Sequence, residues 1–103
     1  MENNTAYLKE MFFSVNNLRT NFEIDIFGSS LASIWLADQL SDWKGNFVDE
    51  DKNKYGNNII GKQIISPCEV KKGSNVFIPL EKEISKKIAK RLSSKSVTYH
   101  YTN

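Results

Sequence analysis

The sequence predicts a three-layer α/β domain. Its sheet is mostly parallel, with four to five strands, and an additional helix precedes it. Three observations carry this expectation. Short alternating or apolar segments take turns with segments of helical period between residues 22 and 101. The first strand passes into its helix through the tight turn Gly28-Ser29-Ser30. A β-α-β order then recurs after an irregular middle, which describes a small doubly wound sheet.

Residues 5–18 read as a helix, because Leu8, Met11, Phe12, Val15 and Leu18 form one apolar stripe. Asn16-Asn17 is expected to end or fray it. Residues 22–27 alternate Phe and Ile with Glu and Asp, as a strand does. A central parallel strand covered on both faces is normally all apolar. Asp25 must therefore be paired, lie near solvent or face a poorly covered side. Ser29 or Ser30 can cap the next helix. Leu31, Ala32, Ile34, Trp35, Leu36, Ala37 and Leu40 make that helix apolar on most sides, so it is expected to be buried.

Residues 43–49 read as the second strand, and 49–58 as a polar loop. Gly56 and Gly61 bracket Ile59-Ile60, and Ile64-Ile65 reads as a short third strand. Ser66-Pro67 opens a turn through Val70, and Lys71-Lys72-Gly73-Ser74 is a surface turn. Asn75–Pro79 is a fourth strand, stopped by its proline. Residues 81–94 form the clearest helix, with Leu80, Ile84, Ile88 and Leu92 on one face and Ala89 beside them. Glu81 and Glu83 begin this helix and Lys90, Arg91 and Lys95 end it, which suits its dipole. Residues 96–101 alternate again and close the sheet as a fifth strand.

A chain of 103 residues suits one compact core. Residues 1–20 are expected to be an N-terminal helix packed on a domain of residues 21–103. That length leaves no room for a full dinucleotide domain together with a catalytic domain. The 40% apolar content argues against disorder. Cys68, alone, excludes an internal disulfide and fits a reducing compartment. No secretory signal and no membrane-length apolar run stand in the sequence, so a cytoplasmic location is expected, with no membrane partner. Residues 1–51 carry three basic and nine acidic side chains, and residues 52–103 carry eleven and three. With the two halves side by side in a sheet, the molecule would have one acidic and one basic flank. Such a basic flank suits an anionic ligand or a complementary partner, or is simply a solvated helix face.

Three segments together carry a family likeness. They are Ile26-Phe27-Gly28-Ser29-Ser30, then Phe47-Val48-Asp49-Glu50-Asp51 with Lys54-Tyr55-Gly56, then Ile60-Gly61-Lys62-Gln63-Ile64-Ile65-Ser66-Pro67. The pattern resembles the small Rossmann-like domains of sugar-nucleotide and polysaccharide-biosynthesis proteins. Examples are the N-terminal domain of sugar O-acyltransferases, the C-terminal domain of sugar C-methyltransferases and the opening domain of polysaccharide-biosynthesis epimerases. The resemblance covers about residues 22–101. It implies a Rossmann-like module that binds a nucleotide or nucleotide-sugar, attached to a catalytic domain or subunit elsewhere. The chain departs from the pattern at the turn, where relatives carry glycine, any residue, glycine, and this chain carries Gly28-Ser29-Ser30 with Ser33 at the third position.

Gly28, Ser29, Ser30, Asp49 and Glu50 are the candidate ligand-binding residues. A side chain at the second glycine position obstructs backbone approach to a pyrophosphate, although its hydroxyl can donate to a phosphate. The serines therefore point away from NAD or FAD and toward a mononucleotide or nucleotide-sugar, with no single cofactor indicated. Asp49, twenty-one residues past Gly28, stands where an acid accepts from a ribose diol. Lys52, Lys54 and Lys62 are cations in reach of an anionic group. His100 and Cys68 have no partners in sequence that would make a nucleophilic or zinc site, so no chemistry is expected from this chain alone and no catalytic or metal residue is named. The last helix has no aromatic interleaving, so nucleic acid is a poor fit. The alternative reading is a degenerate packing or homo-oligomerisation domain that kept the fold and lost the ligand.

Overall fold

A computed structural model describes residues 2–19, 23–40, 42–94 and 96–102, with side chains from residue 8 onward except that of Arg19. Phe22, Lys95 and the expected boundary at residues 20–21 lie outside the described residues. The elements are α1 (Glu2–Arg19), β1 (Ile24–Phe27), α2 (Leu31–Gln39), β2 (Phe47–Val48), β3 (Asn58–Ile59), β4 (Lys62–Ile65), β5 (Ser74–Phe77), α3 (Lys82–Leu92) and β6 (Val97–His100). One-turn 3-10 helices occupy Lys52–Lys54 and Pro67–Glu69.

The strands form one six-stranded sheet in the order β3-β4-β2-β1-β5-β6. All neighbours are parallel except β3, which runs antiparallel to β4. The parallel strands alone, taken in chain order, read 3-2-1-4-5 across the sheet, the doubly wound order of a Rossmann-like fold. The sixth strand exceeds the expected four to five. It arises because Ile60 (φ 47°) and Gly61 (φ 78°) both take positive φ, the two-residue primed turn that closes a tight hairpin. An isoleucine gives no sequence signal for that conformation.

Side-chain alternation divides the core into two layers. Ile24, Ile26, Phe47, Ile64 and Phe77 face α1 and α2, where they pack with Met11, Val15, Leu36, Ala37 and Leu40. Phe27, Val48, Val76, Ile78 and Tyr99 face α3 and pack on Ala89, with Val70 closing the layer. The connections obey one winding sense. β1 to β2 runs through α2, and β2 to β4 runs past Tyr55 and Ile59, both on the α1/α2 face. β4 to β5 runs past Val70 and β5 to β6 runs through α3, both on the opposite face.

Several expectations need correction. Helix α1 passes through Asn16-Asn17 to Arg19, because asparagine costs a helix little and Leu18 beyond it packs on the core. The buried side of α3 is centred on Ser85 and Ala89, while Ile84 is half-exposed at 49%. Small residues let the helix sit close to the sheet, and Ser85 Oγ donates to Leu80 O at 2.9 Å. The two oppositely charged halves do not lie side by side along the sheet. β1 and β2 from the first half lie inside the sheet, with β3 and β4 on one side and β5 and β6 on the other.

The β6 edge is blunted. Tyr99 N donates to Ser93 Oγ at 3.1 Å, Val97 N donates to Ser94 Oγ at 3.2 Å and Ser94 N donates to Val97 O at 2.9 Å. Local serines thus satisfy backbone groups that would otherwise template another strand. Among the described residues, no helix is long and apolar enough to cross a membrane.

Candidate functional site

The candidate residues gather at the carboxyl ends of β1 and β2, beside the point where strand order reverses between β1 and β5. Gly28 begins the turn. Its φ of 84° lies in the left-handed region, and its N–H donates to Val48 O at 2.6 Å, which ties β1 to β2. Ser30 is the N-cap of α2 and accepts from Ser33 N at 3.4 Å. Ser33, fully buried, donates back to Phe27 O at 3.0 Å. The serine at the third fingerprint position therefore stitches helix to strand where the dinucleotide fingerprint uses glycine for close packing. The Ser30 and Ser33 hydroxyls lie 3.2 Å apart, so Ser30's hydroxyl turns toward its own helix.

Ser29, Asp49 and Lys54 meet across the turn. Ser29 Oγ donates to Asp49 Oδ2 at 3.1 Å. Lys54 Nζ donates to Ser29 Oγ at 3.0 Å and stands 3.7 Å from Asp49 Oδ2. Asp49 Oδ1 accepts from Asp51 N at 2.9 Å, which starts the 3-10 turn that carries Lys54. The ammonium thus stands beside the N-terminus of α2, where the helix's own first N–H groups favour an anion. Asp49 is mostly buried and its carboxylate serves this network, so a ribose diol would have to share or replace the Ser29 hydroxyl.

Glu50 points elsewhere. Arg91 Nη1 donates to its Oε2, and Nη2 donates to Oε1 at 2.9 Å, a two-pronged pair joining the loop after β2 to α3. Glu50 also raises the Arg91 guanidinium pKa, mainly through this hydrogen bond. The partner lies 41 residues along the chain, so no local pattern could reveal it. Of the other candidate cations, Lys52 is exposed and Lys62 stands over the Trp43 ring at 5.7 Å from its centroid. His100 bonds Asn75 Oδ1 through Nε2 at 2.7 Å, and burial lowers its pKa. Among the described residues, no group of three or more His, Cys, Asp or Glu could hold a metal ion.

A cavity of about 380 Å³ lies at the opposite, amino-terminal edge of the sheet. Glu23, Asp25, Trp43, Gly45, Asn46 and Lys71 are among its walls, and none of Gly28, Ser29, Ser30, Asp49 or Glu50 lines it. Asp25 shares the α3 face with Phe27 and accepts from Asn46 N at 2.8 Å. Burial raises its pKa, partly offset by that backbone hydrogen bond, with Glu23 adding to the rise and Lys71 opposing it. The polar residue in β1 is therefore both paired and set on a thinly covered side.

No family model, curated protein or solved structure matches the chain.

Proposed function

We propose that this chain is a non-catalytic Rossmann-like module that holds the anionic end of a nucleotide or nucleotide-sugar at the N-terminus of α2. One observation carries the reading: Lys54 Nζ stands 3.0 Å from Ser29 Oγ at the entrance to that helix. A cation, a hydroxyl and helix N–H groups together suit a phosphate. The doubly wound topology adds support, since ligands of such sheets bind outside the carboxyl ends of strands where the order reverses. Asp49 then orients Ser29 and Lys54 and offers its remaining acceptor capacity to ligand hydroxyls. In this reading the module serves polysaccharide or modified-sugar formation, as the sequence likeness implies, beside a catalytic domain or subunit, and works in the cytoplasm. The proposed division is a binding domain at residues 21–103, preceded by the packing segment 1–20, whose described part is the helix Glu2–Arg19.

A second reading rests on a specific observation. Asp49 already has three neighbours in Ser29, Lys54 and Asp51 N, so the turn is self-satisfied. A degenerate packing or homo-oligomerisation domain would look the same. An NMR titration with UDP-glucose, CDP-glucose, AMP, NAD, coenzyme A and S-adenosylmethionine separates the two. Ligand binding shifts residues 28–33 and 49–54, and Lys54→Met weakens it about tenfold or more, as loss of one charge-assisted contact does. Silence at millimolar ligand, together with a stable dimer in solution, overturns the binding reading.

A further inference from the structure

The cavity at the amino-terminal edge has a cause in the topology. A parallel crossover usually needs a helix to cover the sheet. Here the chain returns from β4 to β5 through residues 66–73 alone, with only the 3-10 turn Pro67–Glu69 on the way. That connection belongs to the α3 face, where Val70 is its buried anchor. The face of β1 near its start is left open, and Asp25 lines the gap. The opening is therefore a consequence of replacing a helix by eight residues.

The chemistry of the cavity has a sign. Four carboxylates, Glu23, Asp25, Asp42 and Glu69, line it against two ammonium groups, Lys44 and Lys71. Helix α2 has no basic side chain in its last turn and runs toward the Asp42–Asn46 wall, so its carbonyl end adds negative potential there. On the Asp25 face the apolar wall is Ile65; Ile24 and Trp43 also border the cavity, although their side chains pack in the α1/α2 layer and Trp43 Nε1 is already spent on Ile24 O at 2.8 Å. Asp25 accepts from Asn46 N with one oxygen and, among the described residues, makes no ion pair. At about 380 Å³ the cavity lies in the size range of small-molecule sites.

From this combination we infer that the cavity binds a small aliphatic amine, whose ammonium pairs with Asp25 while its methylene chain lies on Ile65. A carboxylate half-withdrawn from water gains most from a cation that enters with it. This site is separate from the Gly28 turn and stands whether or not a nucleotide binds there.

The test follows the Asn46 amide by ¹⁵N NMR, because that N–H donates to the Asp25 carboxylate. Putrescine and agmatine are the probes, with butan-1-ol as the uncharged control and glutarate as the anionic one. Both amines should give saturable shifts at Lys44, Gly45 and Asn46 that weaken as salt rises from about 20 to about 300 mM. Asp25→Asn keeps an acceptor for Asn46 and should weaken binding about tenfold. Lys71→Gln removes an opposing charge and should tighten it a few-fold, which keeps the test decisive if the first variant folds poorly. The inference is overturned if neither amine saturates below about 10 mM, if butan-1-ol or glutarate shifts the same amides equally, or if Asp25→Asn binds as the parent does.

Discussion

Gly45→Ala should be far more damaging than Gly28→Ala, although only Gly28 has a positive φ. A Cβ at Gly45 would lie 2.2 Å from Ile24 O and 2.6 Å from Trp43 Nε1, inside atoms that cannot yield cheaply. The same two atoms form the buried hydrogen bond from Trp43 Nε1 to Ile24 O at 2.8 Å. The methyl group must therefore push β1 away from the indole and break that bond. Overpacking costs about 1–3 kcal/mol and an orphaned buried polar group about 1–3 kcal/mol more. The combined loss of about 2–6 kcal/mol is a large part of the usual stability of a domain this size. At Gly28 the added Cβ meets only Ser33 Oγ at 3.5 Å, an ordinary contact. The cost there is the left-handed backbone alone, about 1–2 kcal/mol. Urea unfolding followed by circular dichroism and Trp fluorescence measures both. If Gly45→Ala loses less than Gly28→Ala, the close packing of β1 on the Trp43 loop is wrong.

Further outcomes can be checked with the same assays. Ser33→Ala removes the buried bond to Phe27 O and should cost about 1–2 kcal/mol, a fall of roughly 4–16 °C in Tm. No change would mean that the hydroxyl does not join α2 to β1. Ile60→Asn should gain about 1 kcal/mol, because a β-branched residue at φ 47° is strained and its side chain is half-exposed. A loss would show that Ile60 has packing value that outweighs the turn. Asp25→Asn should be more stable than the parent at pH 7. The fold raises this carboxyl's pKa above its ordinary 3.8, so its contribution is full below that value and is lost as pH rises through the folded pKa. The advantage of the variant should therefore shrink as pH falls toward 3.8, and an advantage that grows on acidification would refute the burial argument.

Much of the architecture can be read along the chain, because periodicity acts at short range. The stripe from Leu8 to Leu18, the alternation through Ile24 and Ile26 and the Gly28 turn each depend on near neighbours. They suffice for helices, for parallel strands and for the place where a helix begins. Lys54 is visible only as a nearby cation. Its seat on Ser29 depends on the Asp51-initiated 3-10 turn, which swings the loop back over the helix entrance.

Other features arise only when distant segments meet. Glu50 looks like a site residue until Arg91 reaches it from α3. Hairpin β3–β4 depends on an isoleucine taking a conformation it seldom adopts, which packing of Ile59 and Ile64 on the core imposes. The cavity by Asp25 exists because the β4-to-β5 crossover is too short to cover the sheet, and coverage is a property of the assembled layers. The sequence by itself determined the three helices, the parallel strands and the Gly28 turn, and so the α/β class, since these follow from local sterics and hydrophobic spacing. The tertiary structure alone decided which strands lie inside the sheet, where the charges face and which acids stand open, because long-range contacts set those positions.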